Sequence, residues 1–120
     1  MQRVWIGLGA LAGLTAVAMA AFSAHGLDRL GASEMRMLQS AIQMQGWHAL
    51  ALLGTGLWAP VGGRLADAAG VAFVLGLLLF CGAVYGLALF GAAVGGIAPV
   101  GGTLLMIGWA LLAVSAVWRR

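Results

Sequence analysis

The stretch Ala69–Ala92, AGVAFVLGLLLFCGAVYGLALFGA, contains no charged side chain. It is long enough to cross a bilayer, because a spanning helix needs about 20 predominantly apolar residues. Residues 4–24, 41–59 and 97–118 read the same way. Little of the chain is left over for water. The hydrophobic fraction is 63% and the charged fraction 8% of 120 residues, with a mean hydropathy of +1.07. A soluble surface needs far more charge. The fold class is therefore all-α: one polytopic membrane domain over residues 1–120, a bundle of four transmembrane helices.

Glycine is abundant, at 20 residues. In water this would argue against helix. In a membrane it argues for close helix packing, since small residues let backbones approach. Gly9 and Gly13 form one G-x-x-x-G pair and Gly82 and Gly86 another. Both pairs are expected at helix–helix contacts. The apolar run after Arg3 is longer than the roughly 7–15 residues of a signal-peptide core, so residues 4–24 read as a span.

Between the first two spans, Gly31 breaks the pattern and Ser33 with Glu34 offers a helix cap. The expected element is a short amphipathic helix near Ser33–Gln39, lying at the interface before the second span begins. Pro60 closes that span, and Gly62–Gly63 forms the turn. Pro99, Gly101 and Gly102 open the fourth.

The formal charge is +3, and all six basic residues are arginines: Arg3, Arg29, Arg36, Arg64, Arg119 and Arg120. They sit at the ends of spans rather than on one clustered face, so nucleic acid is not an expected partner. They read as headgroup anchors. Four would lie on the side of the termini and two on the other, which places both termini in the cytoplasm of a cell inner membrane. The lone cysteine, Cys81, reads as a core filler.

The blocks AAFSAHGL (residues 20–27), MQGWHALALL, LFCGAVYGLALFG and IAPVGGTLLMIGW resemble the DUF423 family, which includes the YgdD-like and YwdK-like bacterial proteins and the transmembrane protein 256 group. The resemblance runs in order over almost the whole chain. Its A-H-G-L signature matches Ala24, His25, Gly26 and Leu27, and its Y-Q-x-x-H-A-L motif falls on Met44 to Leu50. Its L-F-S-G-S-x-Y block falls on Leu79 to Tyr85, and its T-P-x-G-G on Ala98 to Gly102. This chain has Met44, Cys81, Ala83 and Ala98 where the family usually has hydroxyl-bearing residues. The resemblance implies a small multi-span membrane protein and carries no biochemical activity with it.

Chemistry-bearing residues are few. His25 and His48 are the two imidazoles. With Gln45 and Tyr85 they are expected to converge in the outer half of the membrane, the A-H-G-L turn folding over the second span. Buried imidazole requires hydrogen-bond partners, and Gln43, Gln45, Tyr85 and the backbone near Gly26 are the expected ones. Such a cluster either fixes helix register or binds a headgroup, proton or small neutral solute. Two histidines without suitably placed Asp, Glu or Cys make a poor metal set, so no metal or cofactor is expected. No G-x-S-x-G, H-E-x-x-H or nucleotide loop is present, and no enzyme is expected. The expected function is structural or accessory, with membrane lipids and a homo-oligomer or larger membrane assembly as partners. The alternative is a small-solute channel, transporter or lipid-handling protein using the His/Gln/Tyr cluster.

Overall fold

The computed structural model describes residues 1–25, 30–91 and 94–118. It is all helical among those residues: α1 (Gln2–His25), α2 (Ala32–Phe90), a 3-10 turn (Gly95–Ile97) and α3 (Ala98–Val117). All three α-helices are long and apolar enough to cross a membrane.

The helix count differs from the expected four. Ala32–Phe90 runs as one element in which two helices join across a kink at Gly63, where φ is 62° and ψ −143°. Side chains with a Cβ rarely adopt that backbone conformation, and glycine does so freely. A straight helix of 59 residues would be about 88 Å long at 1.5 Å per residue. The longest dimension of the molecule is 53 Å, so α2 folds back at Gly63 into two antiparallel arms, 32–62 and 64–90. Pro60 lies inside the first arm and does not end it. The separate interfacial helix is also absent. Residues 33–39 are the first turns of α2, which starts at Gly31 without a side-chain cap.

The two flanking helices pack on the α2 hairpin, and among the described residues α1 and α3 make no contact with each other. Small residues set how close they come. A Cβ added at Gly9 would lie 2.9 Å from the Ala49 carbonyl oxygen, and one at Gly56 would lie 2.6 Å from Ile6. These reciprocal approaches seat α1 on the first arm. On the other side, a Cβ at Gly76 would meet Leu105 at 2.7 Å, and one at Gly108 would meet the Phe73 ring at 2.7 Å. Gly101 is pressed against the Phe80 backbone in the same way. Phe73, Leu52 and Leu105 are fully enclosed between the layers, and Leu38 is fully enclosed in a second cluster with Ala88.

The G-x-x-x-G expectation therefore divides. Gly9 is at a tight contact, and Gly13 is in ordinary contact, with Ala49 Cβ 3.8 Å from its added Cβ. Gly82 is exposed, and an added Cβ there would meet nothing within 4 Å. It is not a packing position in this chain. Gly86 is half-buried near the end of α2, where its carbonyl is one of two that face the capping N–H of Gly91. Spacing puts two glycines on one face but does not say which way that face points. Replacement should separate the cases. Gly76→Leu is expected to cost about 1–3 kcal/mol by overpacking, and Gly82→Leu to stay within about 0.5 kcal/mol of the parent. Unfolding titrations in mixed detergent micelles would measure both.

A candidate polar hub beside a lateral groove

Gln45 is buried, at 8% exposure, in a layer of otherwise apolar side chains. It lies one helical turn before His48 on the first arm of α2, on the surface that meets α1. Its Nε2 donates to the Ala12 carbonyl at 2.9 Å and to Thr15 Oγ1 at 2.6 Å. Its Oε1 accepts from the Tyr85 hydroxyl at 2.7 Å. One side chain thus joins α1, the first arm and the second arm. Thr15 passes its own proton to the carbonyls of Leu11 and Ala12. The Cys81 thiol, buried one turn before Tyr85, donates to the Ala41 carbonyl at 3.5 Å.

His48 belongs to a different contact. It is 2% exposed and faces α3 and Phe73 rather than the glutamine. Trp109 Nε1 donates to His48 Nε2 at 3.0 Å, and His48 Nδ1 lies 2.7 Å from the Met44 carbonyl oxygen. An indole N–H can only donate, so Nε2 accepts and Nδ1 carries the proton. Both ring nitrogens are satisfied by a neutral imidazole. Phe73 and Trp109 meet the ring edge-on at centroid distances of 5.6 and 5.8 Å, and each other at 5.3 Å.

The expected four-residue convergence is only partly present. Gln45 and Tyr85 touch. His48 is buried nearby but bonded to Trp109 and Met44. His25 is exposed at the last turn of α1, ten residues beyond Thr15, and does not join the group. Gly26 and Leu27, the remainder of the A-H-G-L signature, lie outside the described residues. Gln43 is exposed and lines a second, wider cleft with Arg36 and Gln39.

Several residues that brace the bundle were not singled out from the sequence. Thr15 is one. Trp5 Nε1 donates to Asp67 Oδ1 at 2.8 Å, and the indole lies against Gly70, tying α1 to the second arm. Trp58 Nε1 donates to Ser115 Oγ at 2.9 Å, tying the first arm to α3. With Trp109, three indoles each bridge two helical segments. The available signal was a tryptophan inside or beside an apolar span, since a buried indole requires an acceptor.

At the Trp5 end α1 is drawn against the second arm. Toward Thr15 the two separate and leave a groove of about 360 Å³ that opens on the outer surface of the bundle. Leu11 and Leu78 flank it, Gly82 forms part of one wall, and Thr15, Gln45 and Tyr85 provide its polar floor. Among the described residues, no three of His, Cys, Asp and Glu come together as a metal-binding group.

A family model described as "Protein of unknown function (DUF423)" matches residues 19–102, the part of the chain that contains the whole α2 hairpin. The chain belongs to the DUF423 family. A "UPF0382 membrane protein" of Haemophilus influenzae is 36% identical over 97% of this chain and 95% of its own length. One from Staphylococcus epidermidis is 38% identical, covering 97% of each chain. The "UPF0382 inner membrane protein YgdD" of Escherichia coli K12 is 36% identical over 97% of this chain and 91% of its own. No solved structure matches. The family is one of membrane proteins, in agreement with the three apolar helices.

The hub should behave as an interhelical lock. Interhelical hydrogen bonds in membranes average about 0.6 kcal/mol and reach about 1.7. A double-mutant cycle of Gln45→Leu with Tyr85→Phe, followed by unfolding in mixed micelles, should give a coupling energy in that range. His25→Ala should change stability by less than about 0.5 kcal/mol.

Proposed function

We propose that this is a four-span structural or accessory protein of the inner membrane, acting through contacts with lipid and with other membrane proteins rather than through chemistry of its own. The two arms of α2 serve as two spans, between those of α1 and α3. The arm 32–62 has about 46 Å of helix at 1.5 Å per residue, enough to cross a hydrocarbon layer of about 30 Å. The arginine distribution favours cytoplasmic termini, and the description of the YgdD relatives as inner membrane proteins favours the inner membrane.

One observation carries the reading. Among the described residues, no buried side-chain nitrogen or oxygen lacks a partner. Gln45, Tyr85, His48, Thr55 and Ser115 are all bonded within the protein. Polar groups arranged to pass an ion or solute must offer free donors or acceptors along a path. In these five side chains every polar proton is given to another group of the bundle, as in groups that fix helix register. Outward, the chain presents Leu14, Leu57, Leu78 and Phe90, which suits lipid or a neighbouring helix. The lateral groove favours a second reading, in which the protein holds a lipid molecule.

Crosslinking in native membranes and native mass spectrometry test the assembly. A defined homo-oligomer or a stoichiometric co-purifying membrane protein is the expected result. A lone monomer at every concentration, with no companion, contradicts it. Solute flux in liposomes should match that of empty ones; flux abolished by His48→Ala would establish transport instead.

A further inference from the structure

The groove between α1 and the arm 64–90 has a floor of unusual polarity. Every proton on its polar lining is already committed. Gln45 Nε2 uses both of its protons on Ala12 and Thr15. The Tyr85 hydroxyl proton goes to Gln45 Oε1. Thr15 donates to its own helix, and Cys81 to Ala41. Lone pairs remain, because a hydroxyl oxygen and an amide oxygen each accept up to two hydrogen bonds. Tyr85 accepts none in this network, and Gln45 Oε1 accepts one. The floor therefore offers acceptors and no donors. A ligand group that matches it must itself donate.

Depth narrows the ligand further. Trp5, bonded to the Asp67 carboxylate, marks one interface, where tryptophans and charges gather. Thr15 is ten residues further along α1, about 15 Å at 1.5 Å per residue. That is half of a hydrocarbon layer about 30 Å thick. Gln45 is bonded to Thr15 and shares its depth. A charged headgroup does not reach the bilayer centre without a large cost. A hydroxyl on an uncharged chain does so at a lower cost, and more readily when it finds acceptors there. The walls are apolar, the volume is about 360 Å³, and the opening is lateral. That volume lies at the small end of the range of about 300–1,000 Å³ typical of ligand sites.

We propose that the groove binds a neutral, single-chain membrane alcohol, whose hydroxyl donates to Tyr85 Oη and Gln45 Oε1 while its chain lies along Leu11, Leu78 and the open face of Gly82. The proposal rests on the lipid-holding reading of the groove and names the ligand class. Gly82 now has a role that its spacing did not suggest. Its missing side chain leaves one wall open, and nothing in the bundle needs that space.

The test uses the full chain in phosphatidylcholine vesicles, with hexadecanol carrying a mid-chain diazirine and the methyl ether of the same probe. After irradiation, labelled peptides are located by mass spectrometry. The alcohol should label the segments around Leu11 and Leu78 about fivefold more than the ether, as expected for a net hydrogen bond. Gly82→Leu should reduce groove labelling to background with the melting temperature unchanged. Tyr85→Phe keeps the groove open and should narrow the difference between the two probes, which keeps the test sound if the leucine variant folds poorly. Equal labelling by alcohol and ether, both lost in Gly82→Leu, overturns the proposal but leaves a lipid-holding groove. Labelling of the groove by neither probe overturns both.

Discussion

The structure depends on the three hydrogen bonds of Gln45. A bilayer interior has no water to satisfy a primary amide, so the side chain must find partners in protein. It finds them on two other helical segments at once, through Ala12 and Thr15 on α1 and Tyr85 on the second arm of α2. Lipid tails are as apolar as leucine, so burial alone does little to choose among helix registers in a membrane. A polar group at a defined depth does choose, because slipping one turn would strand it. The indoles of Trp5, Trp58 and Trp109 impose the same condition at three other points.

Small residues decide how closely the locked helices approach. Gly9 and Gly56 let α1 sit against the first arm, and Gly76, Gly101 and Gly108 let α3 sit against Phe73 and Phe80. These contacts draw the bundle tight wherever a glycine faces inward. Where α1 leaves the second arm, no such pair closes the gap, and the groove results. Its floor is the Gln45 hub itself. The side chain that fixes register and the surface that meets the groove are the same, so a ligand there would sense the packing of three segments.

Much of the fold was legible from apolar length. The apolar runs inside α1, the two arms of α2 and α3 stand out because nothing charged interrupts residues 4–24, 41–59, 69–92 and 97–118. The continuation of the first arm past Pro60 and the lack of a separate helix at 33–39 were not legible. A proline signals a break but does not compel one near a helix end, and polar residues such as Arg36 and Gln39 can extend a spanning helix beyond the hydrocarbon as well as start a new one. Of the polar cluster, Gln45 and Tyr85 could be read as partners because each interrupts an apolar span. Thr15 could not, since one hydroxyl in an alanine- and glycine-rich helix can bond to its own backbone. His48 was expected to join Gln45, yet three residues further along the helix it points to α3, where Trp109 donates to it. Gly82 shows the limit of spacing arguments: with 20 glycines in the chain, pairs four apart arise whichever way their face points.

The most direct test of the hub is solid-state NMR of the selectively labelled protein in lipid bilayers. The account predicts through-space correlations from the Gln45 side-chain nitrogen to Thr15 Cβ and from the Gln45 side-chain carbonyl carbon to the Tyr85 ring carbon bearing the hydroxyl, with no exchange between that amide and water. An amide in exchange with water, without correlations to Thr15 and Tyr85, would contradict it.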